Sequence, residues 1–107
     1  MNTTLALFAS VSAALALAPL GVSAAPVDDA MNKAGCMACH TKDKKLVGPS
    51  FKEIAATYKG QDATAKLMEK VRKGGAGVYG PVPMAPNPPD KINDADLKAA
   101  IELILKS

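Results

Sequence analysis

Tryptophan is absent from the 107 residues, and the aromatic side chains amount to two phenylalanines and two tyrosines. Histidine occurs once, at His40, and cysteine twice, at Cys36 and Cys39. A single histidine excludes any site built on paired imidazoles. Two cysteines exclude the multi-bridge framework of a disulfide-stapled domain. Charge is missing from the first quarter: Met1 to Ala25 contains no Lys, Arg, Asp or Glu. Over the whole chain the formal charge is only +3. That excess is too small, and too poor in interleaved aromatics, to argue for nucleic acid. Long apolar runs are also lacking. Leu5 to Ala18 is nearly continuous but carries Ser10 and Ser12, and Pro19 and Gly21 end it. A membrane span needs about 20 apolar residues.

That uncharged stretch is predicted to be a secretory leader. Val22-Ser23-Ala24 and Ser23-Ala24-Ala25 both place small residues where a signal peptidase cuts. The expected division is a cleaved signal peptide over residues 1–25 and one domain over 26–107, with no membrane insertion after cleavage. The n-region Asn2-Thr3-Thr4 departs from the usual pattern in having no basic side chain. Export to the periplasm fits the cysteine usage, because an oxidising compartment would pair two lone thiols unless something consumed them. The remaining 82 residues hold only Phe51, Tyr58 and Tyr79 as aromatics. A domain of that size is near the limit for a self-sufficient core.

Cys36-Met37-Ala38-Cys39-His40 is what is there. The pattern C-x-x-C-H attaches a c-type haem, one thioether from each cysteine and the adjacent histidine on the iron. The predicted cofactor is one haem c, covalent through Cys36 and Cys39. It would consume both thiols and supply the missing apolar bulk.

Four segments are predicted helical and none shows useful β-alternation. The first runs from about Val27 to Ala34, with Asp28 and Asp29 in its first turn and Gly35 as its stop. The second runs from Ser50 to about Tyr58, with Ser50 and Glu53 in a capping-box pattern. The third covers about Ala63 to Lys73. The fourth runs from about Asp94 to Lys106 behind Asn93, with Leu97, Ile101, Ile104 and Leu105 as its buried face. Lys42, Lys44 and Lys45, and later Lys70, Arg72 and Lys73, are predicted to be solvated surface or a weak docking ring. Between the third and fourth helices, Gly74 to Pro89 contains four glycines and five prolines. A loop this long inside one domain is usually functional, and its prolines lower the entropy lost on ordering.

The second axial position of the iron has few candidates. Met37 lies between the two attachment cysteines and cannot reach the opposite face. Met31 and Met68 sit in helical apolar stripes and are predicted to be core. A lysine, or no ligand at all, completes the list of candidates. Met84, set between Pro83 and Pro86 far downstream of His40, is the predicted ligand.

In order, the CMACH motif, Val47-Gly48-Pro49-Ser50-Phe51 and Gly77-Val78-Tyr79-Gly80-Pro81-Val82-Pro83-Met84-Ala85-Pro86-Asn87 resemble the short bacterial class I cytochromes c. The resemblance implies an all-α fold of about four helices wrapped around one covalently bound haem. It implies a soluble, monomeric carrier that donates to nitrite reductases or terminal oxidases and is fed by a quinol-oxidising complex. Pro49 would orient His40 through its carbonyl, and Asn87 would steady the Met84 side. Gly35 would let the first helix cross closely over the last. Tyr79 stands where such proteins usually carry a Trp that binds a haem propionate, and Lys70 where an Arg often does. Lysine lacks the bidentate fork.

A haem with His40 and Met84 as metal ligands has no open position for substrate, so the expected activity is one-electron transfer and not enzymic catalysis. Met37, Leu46, Val47, Val82 and Ala85 are candidates for an apolar rim where redox partners dock. Other readings stay open. Met84 could be off the iron in a ligand-binding haem protein. The CxxC pair could be a dithiol oxidoreductase, although no βαβ unit is seen. A zinc site would need a fourth ligand. The chain could also be the electron-entry subunit of a larger enzyme.

Overall fold

Ala24–Lys33 forms the first helix, α1, and carries its buried side chains at Val27 and Met31, one turn apart. The computed structural model describes residues 13–14 and 24–107. The leader expected over residues 1–25 therefore lies almost wholly outside the described residues. α1 begins earlier than the predicted Val27, so Asp28 and Asp29 fall beyond its first turn. Pro26 is tolerated there because the opening turn asks nothing of its missing N–H. The helix ends at Gly35, whose φ of +83° is the left-handed cap conformation. Its N–H donates to Asn32 O across 3.1 Å.

The chain then makes a single 3-10 turn, Cys36–Ala38, and runs through a loop into α2, Phe51–Thr57. Ser50 caps α2: its hydroxyl accepts from the Glu53 N–H at 3.0 Å. α3, Thr64–Lys73, packs Leu67, Met68 and Val71 against the core. Its last turn carries Lys70, Arg72 and Lys73, which complement the helix dipole. α4, Asp94–Leu105, is capped by Asn93, whose side chain accepts from Asp96 N–H at 2.8 Å.

α4 is the element on which α1, α2 and α3 all pack. Its Leu97, Ala100 and Ile101 join Val27, Met31, Phe51 and Ile92 in one buried cluster. Ile104 and Leu105 sit at the partly buried margin of that cluster. Met31 and Met68 both belong to this packing, Met31 at only 2% exposure.

The predicted loop between α3 and α4 contains order that the sequence pattern did not suggest. β1, Gly75–Gly77, and β2, Gly80–Met84, pair antiparallel across a two-residue link, with Gly77 opposite Gly80 and Gly75 opposite Met84. Alternation is hidden because glycine and proline occupy five of the eight strand positions. These residues have low strand propensity and contribute no hydrophobic period. The fold is therefore mostly helical, four α-helices with one small two-stranded sheet.

Truncating Ile101 to Ala removes a buried side chain at the centre of the cluster and should cost about 2–5 kcal/mol. Asn93→Ala removes only the α4 cap and should cost about 1 kcal/mol. Denaturant titration of the two variants checks the order.

Candidate cofactor site

Three backbone hydrogen bonds wind the attachment segment: Ala38 N–H to Gly35 O at 3.2 Å, Cys39 N–H to Cys36 O at 3.2 Å and His40 N–H to Cys36 O at 3.0 Å. They fold Cys36, Cys39 and His40 into one turn, directly after the Gly35 cap. An ideal Cβ at Gly35 meets nothing within 4 Å. The expectation that Gly35 lets α1 cross closely over α4 is therefore corrected. What position 35 demands is the positive φ that turns the chain from α1 into the cysteine segment.

Both cysteines are half-buried free thiols. Burial pushes the Cys36 thiol above its ordinary value; a backbone hydrogen bond opposes the shift and Cys39 adds to it. Redox CxxC pairs depend on a lowered thiol pKa, so this direction speaks against the dithiol reading. Among the described residues, no three His, Cys, Asp or Glu side chains form a group that could hold a metal ion, so the zinc reading has no ligand set there.

His40 is held from behind by the segment 46–51. Gly48 N–H donates to Cys39 O at 2.8 Å, and Phe51 N–H to Thr41 O at 2.9 Å. These bonds lay the Gly48-Pro49 backbone along the imidazole. His40 Nδ1 lies 2.7 Å from Pro49 O. A carbonyl can only accept, so Nδ1 is the donor, and in the neutral ring this leaves the lone pair on Nε2. The Phe51 ring stacks on the imidazole with centroids 5.7 Å apart and planes at 23°. Gly48 leaves no space to spare: a Cβ there would fall 2.5 Å from His40 Cε1 and 2.9 Å from Nδ1.

Met84 closes β2 and is half-buried. Its loop leans on the end of α3. A Cβ at Gly74 would overlap the Met84 carbonyl oxygen and stand 2.9 Å from the Ala85 carbonyl carbon. Asn87, 8% exposed, donates from its backbone to Val71 O at 3.0 Å. Its side-chain Nδ2 donates to Ala85 O at 3.0 Å and Val71 O at 3.4 Å. Asn87 thus braces the backbone one residue beyond Met84.

Tyr79 is in the link between β1 and β2. Its hydroxyl is buried and has no hydrogen-bond partner. Burial pushes the phenol above its ordinary value, and the nearby Thr57 hydroxyl partly offsets this. The Thr57 hydroxyl spends its own hydrogen on Glu53 O at 2.9 Å, and the Tyr79 hydroxyl forms no hydrogen bond. A buried phenolic donor without an acceptor suits a carboxylate such as a haem propionate. Lys70 is half-buried and lines a depression of about 260 Å³ with Tyr58, Leu67, Gly74 and Val78. The donor set therefore fits the expected cofactor: two thiols, one oriented imidazole, one thioether and an unpaired buried phenol.

Met37, Leu46, Val47 and Val82, four of the residues expected at an apolar rim, are exposed, at 38%, 52%, 52% and 59%. Val78 is likewise exposed, at 60%, and lies beside the Lys70 depression. Arg72, expected on solvated surface or in a weak docking ring with Lys70 and Lys73, is instead turned inward. Its side chain is only 19% exposed and is engaged by three acceptors. One signal was available: it is the only arginine among 13 basic residues.

The family description "Cytochrome c" matches residues 24–107. The chain is 54% identical over 76 residues to cytochrome c2 of Rubrivivax gelatinosus, covering 70% of this chain and 89% of that protein. It is 44% identical over 94 residues to cytochrome c-552 of Nitrosomonas europaea, covering 87% of this chain and 88% of that protein. The crystal structure of wild-type Nitrosomonas europaea cytochrome c552 superposes with a TM-score of 0.66 at 42% identity. It covers 74% of this chain and 96% of that one.

Gly48→Ala should displace the imidazole from Pro49, because the new methyl cannot share space with Cε1. The His40 Nδ1–H resonance should exchange faster with water than in the wild type, and broaden or vanish. An unchanged resonance would show that the 46–51 segment yields more easily than its hydrogen bonds suggest.

Proposed function

Since the chain belongs to the cytochrome c family, we propose that it works in the periplasm as a one-electron carrier, its haem joined through Cys36 and Cys39 and its iron held between His40 and Met84. Membership makes it a small class I cytochrome c, a monohaem electron carrier with covalently attached c-type haem. The observation that carries the finer reading is the 2.7 Å contact between His40 Nδ1 and Pro49 O. An imidazole committed through Nδ1 offers Nε2 as a ligand in a set orientation, and its basicity rises with the bond.

Bound haem supplies reversible one-electron chemistry between ferric and ferrous iron. The protein's part is to hold both ligands still, exclude water and tune the potential. Met84 contributes a soft, neutral thioether, which favours the ferrous state and raises the potential. Gly74 and Asn87 hold its backbone against α3, so that the sulfur is presented without a search. Tyr79 and Lys70 are assigned to the propionates. With His40 and Met84 both holding the iron, no position would be left for a substrate, which supports a carrier over an enzyme.

Exposed Met37, Leu46, Val47 and Val82 are assigned to an apolar docking rim, and Lys42, Lys44 and Lys45 precede Leu46 directly in the chain. Small contacts of this kind suit brief docking. The partners we assign are a quinol-oxidising complex as donor and a nitrite reductase or terminal oxidase as acceptor, met by a monomeric carrier. Periplasmic location rests on the leader read over residues 1–25 and on the domain spanning 26–107. Among the described residues no helix is long and apolar enough to cross a membrane.

Mass spectrometry of the exported protein should give one haem added to a chain beginning near Ala25 or Pro26. Cys36→Ala or Cys39→Ala should lower the yield of the mature form severely. A mature mass equal to the bare polypeptide would exclude covalent attachment.

Met84→Ala should abolish the weak near-infrared sulfur-to-iron band of the ferric protein. It should also admit carbon monoxide and lower the midpoint potential. Met68→Leu nearly conserves core volume, so it should keep the band and cost less than about 1.5 kcal/mol. Rapid carbon monoxide binding by the wild type at neutral pH would favour the ligand-binding reading instead.

A further inference from the structure

Arg72 lies in the last turn of α3, yet its guanidinium is turned inward. Nη1 donates to Asn87 O at 3.0 Å and to Ile92 O at 2.7 Å, while Nη2 donates to Asp94 Oδ1 at 2.6 Å. Asn87 and Ile92 bracket the Pro88-Pro89 turn that leads from the Met84 loop to α4. Both residues are buried, at 8% and 4% exposure. One side chain therefore gathers the exit of the Met84 loop, the approach to α4 and the first residue of α4.

We propose that Arg72 is a positioning residue for Met84, holding the loop that presents the thioether by clamping Asn87 and Ile92 to the end of α3. This rests on the reading that Met84 ligates the iron. The clamp continues directly to the ligand: Arg72 fixes Asn87 O, and Asn87 Nδ2 fixes Ala85 O next to Met84. Val71 O, one residue before Arg72, takes the Asn87 backbone N–H at 3.0 Å. Gly74, two residues after Arg72, lets the Met84 carbonyl approach the end of α3.

Residue choice supports the assignment. The other 12 basic positions are all lysine. A planar fork with several donors can serve three acceptors in set directions, and an ammonium cannot reproduce that geometry. The ion pair is the lesser part. Asp94 is 81% exposed, and an exposed pair contributes little. The charge-assisted bonds to the two carbonyls are the stronger ones. Without Arg72, both carbonyl oxygens lose that donor and the loop gains freedom to lift the sulfur away.

The test uses haem-loaded protein. The saturating rate of carbon monoxide binding to the ferrous form reads release of Met84, and the ferric near-infrared band reads its occupancy. Arg72→Gln should raise the release rate by about tenfold. Arg72→Lys should give a smaller rise, and it carries the test if the glutamine variant does not mature. Asp94→Asn should stay within about twofold of wild type. Ile101→Val provides a destabilised core with the clamp intact and should leave release unchanged. If the Arg72 variants release Met84 at the wild-type rate, or no faster than Ile101→Val, Arg72 is only structural and the proposal is overturned. If the wild type itself lacks the sulfur-to-iron band, Met84 is not the ligand, and the proposal falls together with that reading.

Discussion

The hydrogen bond from His40 Nδ1 to Pro49 O, at 2.7 Å, ties together the two halves of the cofactor site that the chain makes earliest. On one side of it lies the cysteine turn, launched by the left-handed cap at Gly35. On the other lies the Val47-Gly48-Pro49 segment, fastened to the turn by Gly48 N–H to Cys39 O. The bond requires that Gly48 have no side chain, since a Cβ would strike the ring. Beside it, Phe51 starts α2 with its ring stacked on the imidazole. Ser50, which separates Pro49 from Phe51, is the cap of that helix. Ligand orientation and helix initiation are thus decided within one short stretch of backbone.

Met84 reaches its place by a different route. Its strand is short and rich in glycine and proline, so it draws little stability from pairing alone. The loop is held by the end of α3 instead, through Val71, Arg72 and Gly74. α3 is in turn fixed by packing Leu67, Met68 and Val71 towards α4. His40 is therefore set locally, and Met84 is set by tertiary contacts. That difference makes the Met84 side the more easily perturbed of the two.

Much of this was legible in the sequence. CMACH, Met84 between prolines and the four helices could be read directly, and the Ser50 and Asn93 caps lie where the sequence puts them. Each is a local signal with a local physical cause. The β1–β2 pairing was not legible, because glycine and proline erase the alternation that marks a strand. Gly35 was given a packing role when its constraint is conformational, a distinction that only a backbone angle reveals. In sequence Arg72 is indistinguishable from its lysine neighbours, since spacing does not show which carbonyls approach a helix end. Only its being the single arginine hinted otherwise.

The central claim is that Met84 is the one methionine on the iron. Labelling the methionine methyl groups with carbon-13 and recording the proton–carbon spectrum of the ferrous protein tests it most directly. A methyl held over the haem plane is shifted far upfield by the ring current. The account predicts one such signal, lost in Met84→Ala, with the other methionines at ordinary shifts. No upfield methyl, or one that survives Met84→Ala, would contradict it.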